Sequence, residues 1–168
     1  MARIFFVLSL LLTACGGDPA ALDGAVPMGD AGPLPTAILD LGTGIDAFAA
    51  VMDTDLVALS RGNQGLQHVW VCLRTHDLRA ASPDIHLSLA RPTDGVVVSD
   101  PYNARLPFAE RGTYKERVGM RLVVSYPLRV VDQDLVLRAT VDGRNGQTAN
   151  AEALVHVLWE EDLGGTAP

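Results

Sequence analysis

At 168 residues the chain is long enough for one domain with its own apolar core and short for two of ordinary size. Its 20 acidic against 13 basic residues give a formal charge of −7, which disfavours nucleic acid as a partner because phosphates repel such a surface. Two cysteines, Cys15 and Cys72, allow at most one disulfide, so stability has to come from packing.

The chain opens with one positive charge, Arg3, and an apolar run from Ile4 to Leu12 broken only by Ser9. A charged start, a short apolar stretch and small residues before a cut describe a secretory signal peptide over residues 1–14. As a helix the run would rise only about 13 Å against a hydrocarbon core of roughly 30 Å, so it is too short to span a membrane. It ends in Leu12-Thr13-Ala14-Cys15, which resembles the lipobox of bacterial lipoproteins. That resemblance implies that Leu12, Thr13 and Ala14 are read by the signal peptidase. It also implies that Cys15 receives a diacylglycerol and becomes the new N-terminus, making the membrane a partner through lipid. Gly16 follows the cysteine in place of the aspartate that retains enteric lipoproteins at the inner membrane. Outer-membrane anchoring, facing the periplasm or the cell surface, is therefore the expected localisation. Cleavage would remove Arg3, shift the charge to −8 and leave Cys72 without an intramolecular disulfide partner.

Residues 15–36 read as the lipidated start of a tether. Gly16 to Thr36 holds five Gly, four Pro, four Ala and three Asp, with no basic or aromatic residue. Such a composition buries too little apolar surface to offset its ordering entropy, so a disordered tether is expected. Its reach is roughly 25 Å as a coil and about 65 Å when drawn out.

From Ala37 the pattern changes to short apolar runs of period two, predicting a β-domain over residues 37–162 and a flexible tail over 163–168. Runs at Ile38–Leu41, Phe48–Met52, Leu56–Ser60, Leu66–Leu73 and Gly95–Ser99 read as strands. Three further segments alternate cleanly: Ile85, Leu87 and Leu89; Met120, Leu122, Val124 and Tyr126; Leu135, Leu137, Ala139 and Val141. Asp142-Gly143-Arg144-Asn145-Gly146 predicts a hairpin turn in which Gly143 and Gly146 take positive φ. The segment Ala151–Glu161 carries helix formers at helical spacing, yet it follows a hairpin turn and Val155 and Val157 flank His156, so a strand is expected. Seven to nine short strands about ten residues apart predict an all-β fold, an antiparallel β-sandwich of immunoglobulin-like type.

The stretch Arg61-Gly62-Asn63-Gln64-Gly65-Leu66-Gln67-His68-Val69-Trp70-Val71-Cys72-Leu73-Arg74 predicts a turn feeding a central strand. Val69, Val71 and Leu73 form one face, and His68, Trp70, Cys72 and Arg74 the other. With Gly42-Thr43-Gly44 and Val141-Asp142-Gly143-Arg144, it is similar to uncharacterised Gram-negative lipoproteins that carry a single immunoglobulin-like domain. Here Leu66-Gln67 replaces a second glycine and an aromatic. The resemblance implies a fold and brings no activity with it.

No zinc spacing, blue-copper spacing, nucleophile elbow or His-Glu-x-x-His occurs, so neither catalysis, a cofactor nor a metal is expected. His68 is read as bonding to the preceding turn, and Cys72 as a small core residue too far along an extended strand from His68 or His76 to form a dyad. The acidic pairs Asp53-Thr54-Asp55 and Asp132-Gln133-Asp134, with Asp142, admit either a calcium site or turn-forming aspartates. Against the acidic trend, Tyr102 to Arg121 holds five basic and two acidic residues with Tyr102, Phe108 and Tyr114 interleaved. Arg105, Arg111, Tyr114, Lys115 and Arg117 are the candidate partner surface, suited to an envelope protein or an anionic cell-wall polymer. The functional expectation is an anchored binding or structural module. Its alternative is a calcium-binding or enzymatic accessory protein on the same sandwich.

Overall fold

Period-two alternation becomes strand wherever one face can be buried. The structure, a computed structural model, describes residues 34–62 and 65–164. Its strands are β1 (Ile38–Thr43), β2 (Ala49–Ala50), β3 (Asp55–Arg61), β4 (Gln67–His76), β5 (Asp84–Ala90), β6 (Tyr102–Arg105), β7 (Ala109–Glu110), β8 (Lys115–Val124), β9 (Gln133–Asp142) and β10 (Thr148–Trp159). Two short 3-10 turns, Pro127–Arg129 and Glu160–Leu163, complete the regular structure. The Ala151–Glu161 segment is therefore strand almost throughout, as its position after a hairpin turn predicts.

The strands form one curled, mixed sheet. One edge of β4 runs along β8, from Gln67 opposite Val124 to Thr75 opposite Lys115. Its other edge is shared: β1 lies opposite Cys72–His76 and β3 opposite Gln67–Val69. Strand β3 also runs parallel to β10, Asp55 opposite Val155 and Leu59 opposite Trp159. That parallel pair corrects the expectation of purely antiparallel strands. It also joins the β4 ladder to the run β10–β9–β5–β6. Across the curl, the Asp100 amide bonds the Val123 carbonyl at 2.9 Å.

Inner faces meet in one core. Val69, Val71, Leu73, Met120, Leu122 and Val124 pack in the same cluster as Ile85, Leu87, Leu89, Leu135, Leu137, Val155 and Val157. Each fully buried Val or Leu contributes about 1.5–3 kcal/mol over its exposed state, which replaces the missing disulfide as the source of stability. Strand β4 is covered on both faces, and Cys72 is wholly buried, as a central strand requires. A bulge interrupts the β4–β8 register between Val71 and Leu73. Gly119 sits at it with φ +68°, and a Cβ there would lie 2.6 Å from the Ile45 carbonyl oxygen, so the close approach requires glycine.

Three expectations need correction. Gly95–Ser99 forms no strand, only a bridge from Val97 to Ala90, because Val96 and Val97 remain exposed and have no face to bury. Tyr126 leaves β8 for the following turn and is exposed. In the turn after β9, Gly146 does take positive φ (89°), but the second such residue is Arg144 (60°), not Gly143. Gly143 is needed for space: a Cβ would lie 2.7 Å from the Asn145 side-chain oxygen.

Gln147 ties the end of the domain where the described chain begins. It is 4% exposed. Its Nε2 donates to the carbonyls of Pro35 and Asp77, both at 2.9 Å. Its Oε1 accepts from the Arg79 amide at 2.9 Å and from Asn145 Nδ2 at 3.1 Å. Every side-chain hydrogen-bonding position of the amide is used, which is what burial of a polar group demands.

Candidate functional site

Leu12, Thr13, Ala14 and Cys15, the proposed recognition and lipidation residues, lie outside the described residues, as does nearly all of the tether.

The candidate basic surface is divided and largely neutralised. Arg105 stands on β6 opposite Asp84, and its Nε and a terminal nitrogen donate to that carboxylate at 2.8 and 3.2 Å. This bond, with the nearby Arg144 charge, holds the Asp84 carboxyl below the usual carboxylate range. Arg111, Tyr114, Lys115 and Arg117 belong to the β7–β8 hairpin, closed by the Arg111 amide on the Tyr114 carbonyl at 2.8 Å. Lys115 Nζ lies 3.1 Å from Glu110, and Arg111 Nε lies 3.7 Å from Glu116. Glu116, mostly buried, also accepts from Arg74 at 3.0 Å. The Arg74 guanidinium is stacked between Phe48, 4.1 Å away, and Tyr114, 4.3 Å away. Tyr114 is thus committed on one face to a cation of its own chain. Arg117 is half-buried, with no partner for its Nε. Its charge pulls the Tyr102 phenol down, but burial dominates and leaves that pKa raised. Phe108 is buried in the core.

The acidic loops use their carboxylates on backbone amides. Asp53 accepts from Leu154 and Asp55 from Met52, both at 2.8 Å, and Asp142 accepts from Arg144 at 2.7 Å. Asp132 and Asp134 flank His156, at 3.4 Å from Nε2 and 2.8 Å from Nδ1. The hydrogen bond to Asp134, reinforced by both carboxylate charges, raises the His156 pKa. Two carboxylates beside one imidazole favour its protonated form, in which neither nitrogen has a lone pair for a metal. Among the described residues, no group of three or more His, Cys, Asp or Glu side chains is arranged to hold a metal ion. Cys72 donates to the Gly44 carbonyl at 3.2 Å, and burial pushes its thiol pKa up, away from the reactive thiolate. His76 faces Asp40 at 3.4 Å, while His86 bonds Asn103.

One feature escapes sequence reading. Leu56, Ala58 and Ser60 alternate with the core residues Val57 and Leu59 and so share the outer face of β3. Together with Trp70 of β4 they line a cleft of about 160 Å³, walled by Thr43–Ile45 on one side and by Glu160 and Leu163 on the other. Ser60 is directly opposite His68 in the β3–β4 ladder. Both are buried, and both Ser60 Oγ and His68 Nε2 have no hydrogen-bond partner. Burial, with the Arg121 charge, lowers the His68 pKa; the Glu160 charge and a hydrogen bond to Leu66 work against it. The Trp70 ring meets the imidazole edge-on at 4.6 Å.

No protein-family model matches the chain, and no curated protein matches it. Among solved structures, it is similar to the CooA pilin subunit from enterotoxigenic Escherichia coli. The identity is 11% and the TM-score 0.32, with 74% of this chain and 99% of that chain covered.

Proposed function

We propose that this chain is an envelope lipoprotein held to the outer membrane through Cys15, with residues 16–36 as a tether and an immunoglobulin-like domain as a binding or structural module. The observation that carries the reading is Leu12-Thr13-Ala14-Cys15 directly after one positive charge and a short apolar run. The order of strand pairing supports the immunoglobulin-like part. Strands β1, β4, β8 and β7 neighbour one another as A, B, E and D do in that fold. The run β10–β9–β5–β6 follows the order of G, F, C and C′. The departure is β3, which pairs with both ladders and makes the sheet continuous.

On this reading the module binds or supports and does not catalyse. Its proposed partner is an anionic cell-wall polymer or an acidic envelope protein meeting Arg111, Lys115 and Arg117 of the β7–β8 hairpin. Pro35, Asp77 and the hairpin residues Gly112, Tyr114 and Lys115 line one depression. A partner bound there would sit beside Pro35, next to the proposed tether in the chain.

Expression of the chain and of Cys15→Ala in a Gram-negative host, followed by fractionation and intact mass, tests the anchor. The parent chain should start at an acylated Cys15 and sediment with membranes, since several buried acyl chains at about 0.8 kcal/mol per CH₂ make release negligible. The variant should accumulate as an uncut or mislocalised precursor. Normal cutting and membrane retention of Cys15→Ala would overturn the assignment.

A further inference from the structure

We propose that Asn145 is a modification site: the Gly146 nitrogen closes on its carboxamide, ammonia leaves, and the side chain becomes an acid that loosens Gln147. This goes beyond the module reading and does not rest on it.

The sequence supplies the reacting pair. Asn145-Gly146 is the one asparagine–glycine step in the chain; Asn63, Asn103 and Asn150 precede Gln64, Ala104 and Ala151. Glycine matters here because a side chain on the following residue would crowd the ring that has to form. Asn145 and Gly146 are both exposed, and nothing lies within 4 Å of where a Gly146 Cβ would stand. The fold adds position. Asn145 Oδ1 accepts from the Gln147 amide at 3.0 Å, which turns the side chain back over the peptide that follows it. Gly143 leaves room for that oxygen, since a Cβ there would lie 2.7 Å from it. The hydrogen-bonded ring so closed contains both Cγ and the Gly146 nitrogen, so the reacting atoms share one small loop. The Gly146 amide donates to no backbone carbonyl among the described residues.

The step balances with water alone. Hydroxide takes the Gly146 amide proton, and the nitrogen forms a bond to Asn145 Cγ. The carbonyl electron pair moves onto Oδ1, where the Gln147 amide stabilises the growing charge. The Cγ–Nδ2 bond then breaks, and Nδ2 takes a proton from water and leaves as ammonia. Water opens the resulting succinimide at either carbonyl, giving aspartate or isoaspartate at position 145. Nothing is oxidised or reduced. The product lacks the Nδ2 donor that Gln147 Oε1 accepts at 3.1 Å, and at neutral pH it sets a carboxylate against that oxygen. Isoaspartate also adds a backbone carbon between Asp142 and Thr148, which are paired in the β9–β10 ladder. Gln147 is the buried amide that bonds Pro35 and Asp77, so a change at an exposed turn reaches that end of the domain.

Incubation of the full chain in detergent at mildly acidic and mildly alkaline pH, followed by peptide mass spectrometry, tests this. Asn145 should show the mass change of an amide-to-acid exchange at least tenfold faster than Asn103 or Asn150, and faster at the higher pH. Its isoaspartate product should accept a methyl group from an isoaspartyl methyltransferase, mapped to position 145. The same measurement on the chain unfolded in guanidinium isolates the part played by the fold: the native rate should equal or exceed the unfolded one. Asn145→Asp, which copies one product, should melt about 3 °C or more below the parent. A native rate at Asn145 no higher than at Asn103 and Asn150, or tenfold below that of the unfolded chain, would overturn the modification site. An Asn145→Asp protein that melts with the parent would overturn the link to Gln147.

Discussion

Replacing Gln147 should damage the domain more than its turn position suggests. Gln147→Leu keeps the bulk and removes four hydrogen bonds, those with Pro35, Asp77, Arg79 and Asn145. Each is worth about 0.5–1.5 kcal/mol net, and a partner left buried and unpaired costs a further 1–3 kcal/mol, discounted where water reaches it. The expected loss is therefore about 3–5 kcal/mol, a large share of the roughly 5–15 kcal/mol that holds a domain together. At about 3–5 °C per kcal/mol for a domain of this size, the melting temperature should fall by at least 9 °C. Gln147→Glu adds a second test. It exchanges two N–H donors for an oxygen that faces two carbonyls, so at neutral pH it should be no more stable than Gln147→Leu. Acidification returns one O–H donor and should recover part of the loss. Thermal melts at neutral and mildly acidic pH, with hydrogen exchange at the Arg79 amide, read both effects. A Gln147→Leu protein that melts within about 2 °C of the parent would refute the reasoning.

The β9–β10 turn gives an opposed pair: nothing surrounds a Cβ at Gly146 (φ +89°), so Gly146→Val should cost about 1–2 kcal/mol through the backbone alone. Arg144→Gly, at φ +60°, should leave the melting temperature unchanged or raised, and a fall in it would show that the φ argument fails. His156 and His68 should titrate on opposite sides of the ordinary imidazole value of about 6.5 in NMR of their ring protons. For His156, raised by its hydrogen bond to Asp134, the stabilisation is full below the unfolded pKa and is lost as pH rises through the folded one. For His68, lowered by burial, the sign reverses: its contribution is full above the unfolded pKa and declines as pH falls towards the folded one. Equal titration of the two would contradict both environments.

Features that depend on neighbours along the chain were legible. Ile85, Leu87 and Leu89 alternate and are buried; Leu135, Leu137, Ala139 and Val141 do the same one strand further on. Asp142–Gly146 announces a turn because glycine and aspartate act locally, although only the folded chain shows that Gly143 is there for space. Features that join distant segments were not legible. The basic stretch reads as a surface by composition, yet its hairpin sets its own Glu110 and Glu116 beside Lys115 and Arg111, and Arg74 arrives from β4, some 40 residues earlier, to occupy one face of Tyr114. Gln147 looks like any polar turn residue until Pro35 and Asp77, 112 and 70 residues away, present their carbonyls. The cleft is the sharpest case, because it depends on register. Val57 and Leu59 pin β3 by their burial, which turns Leu56, Ala58 and Ser60 outward and sets Ser60 against His68. A slip of one residue would place Ser60 in the core and Leu59 in solvent, a change that the wholly buried Leu59 opposes by about 1.5–3 kcal/mol. The same apolar pattern that builds the core therefore holds two polar side chains together on the opposite face.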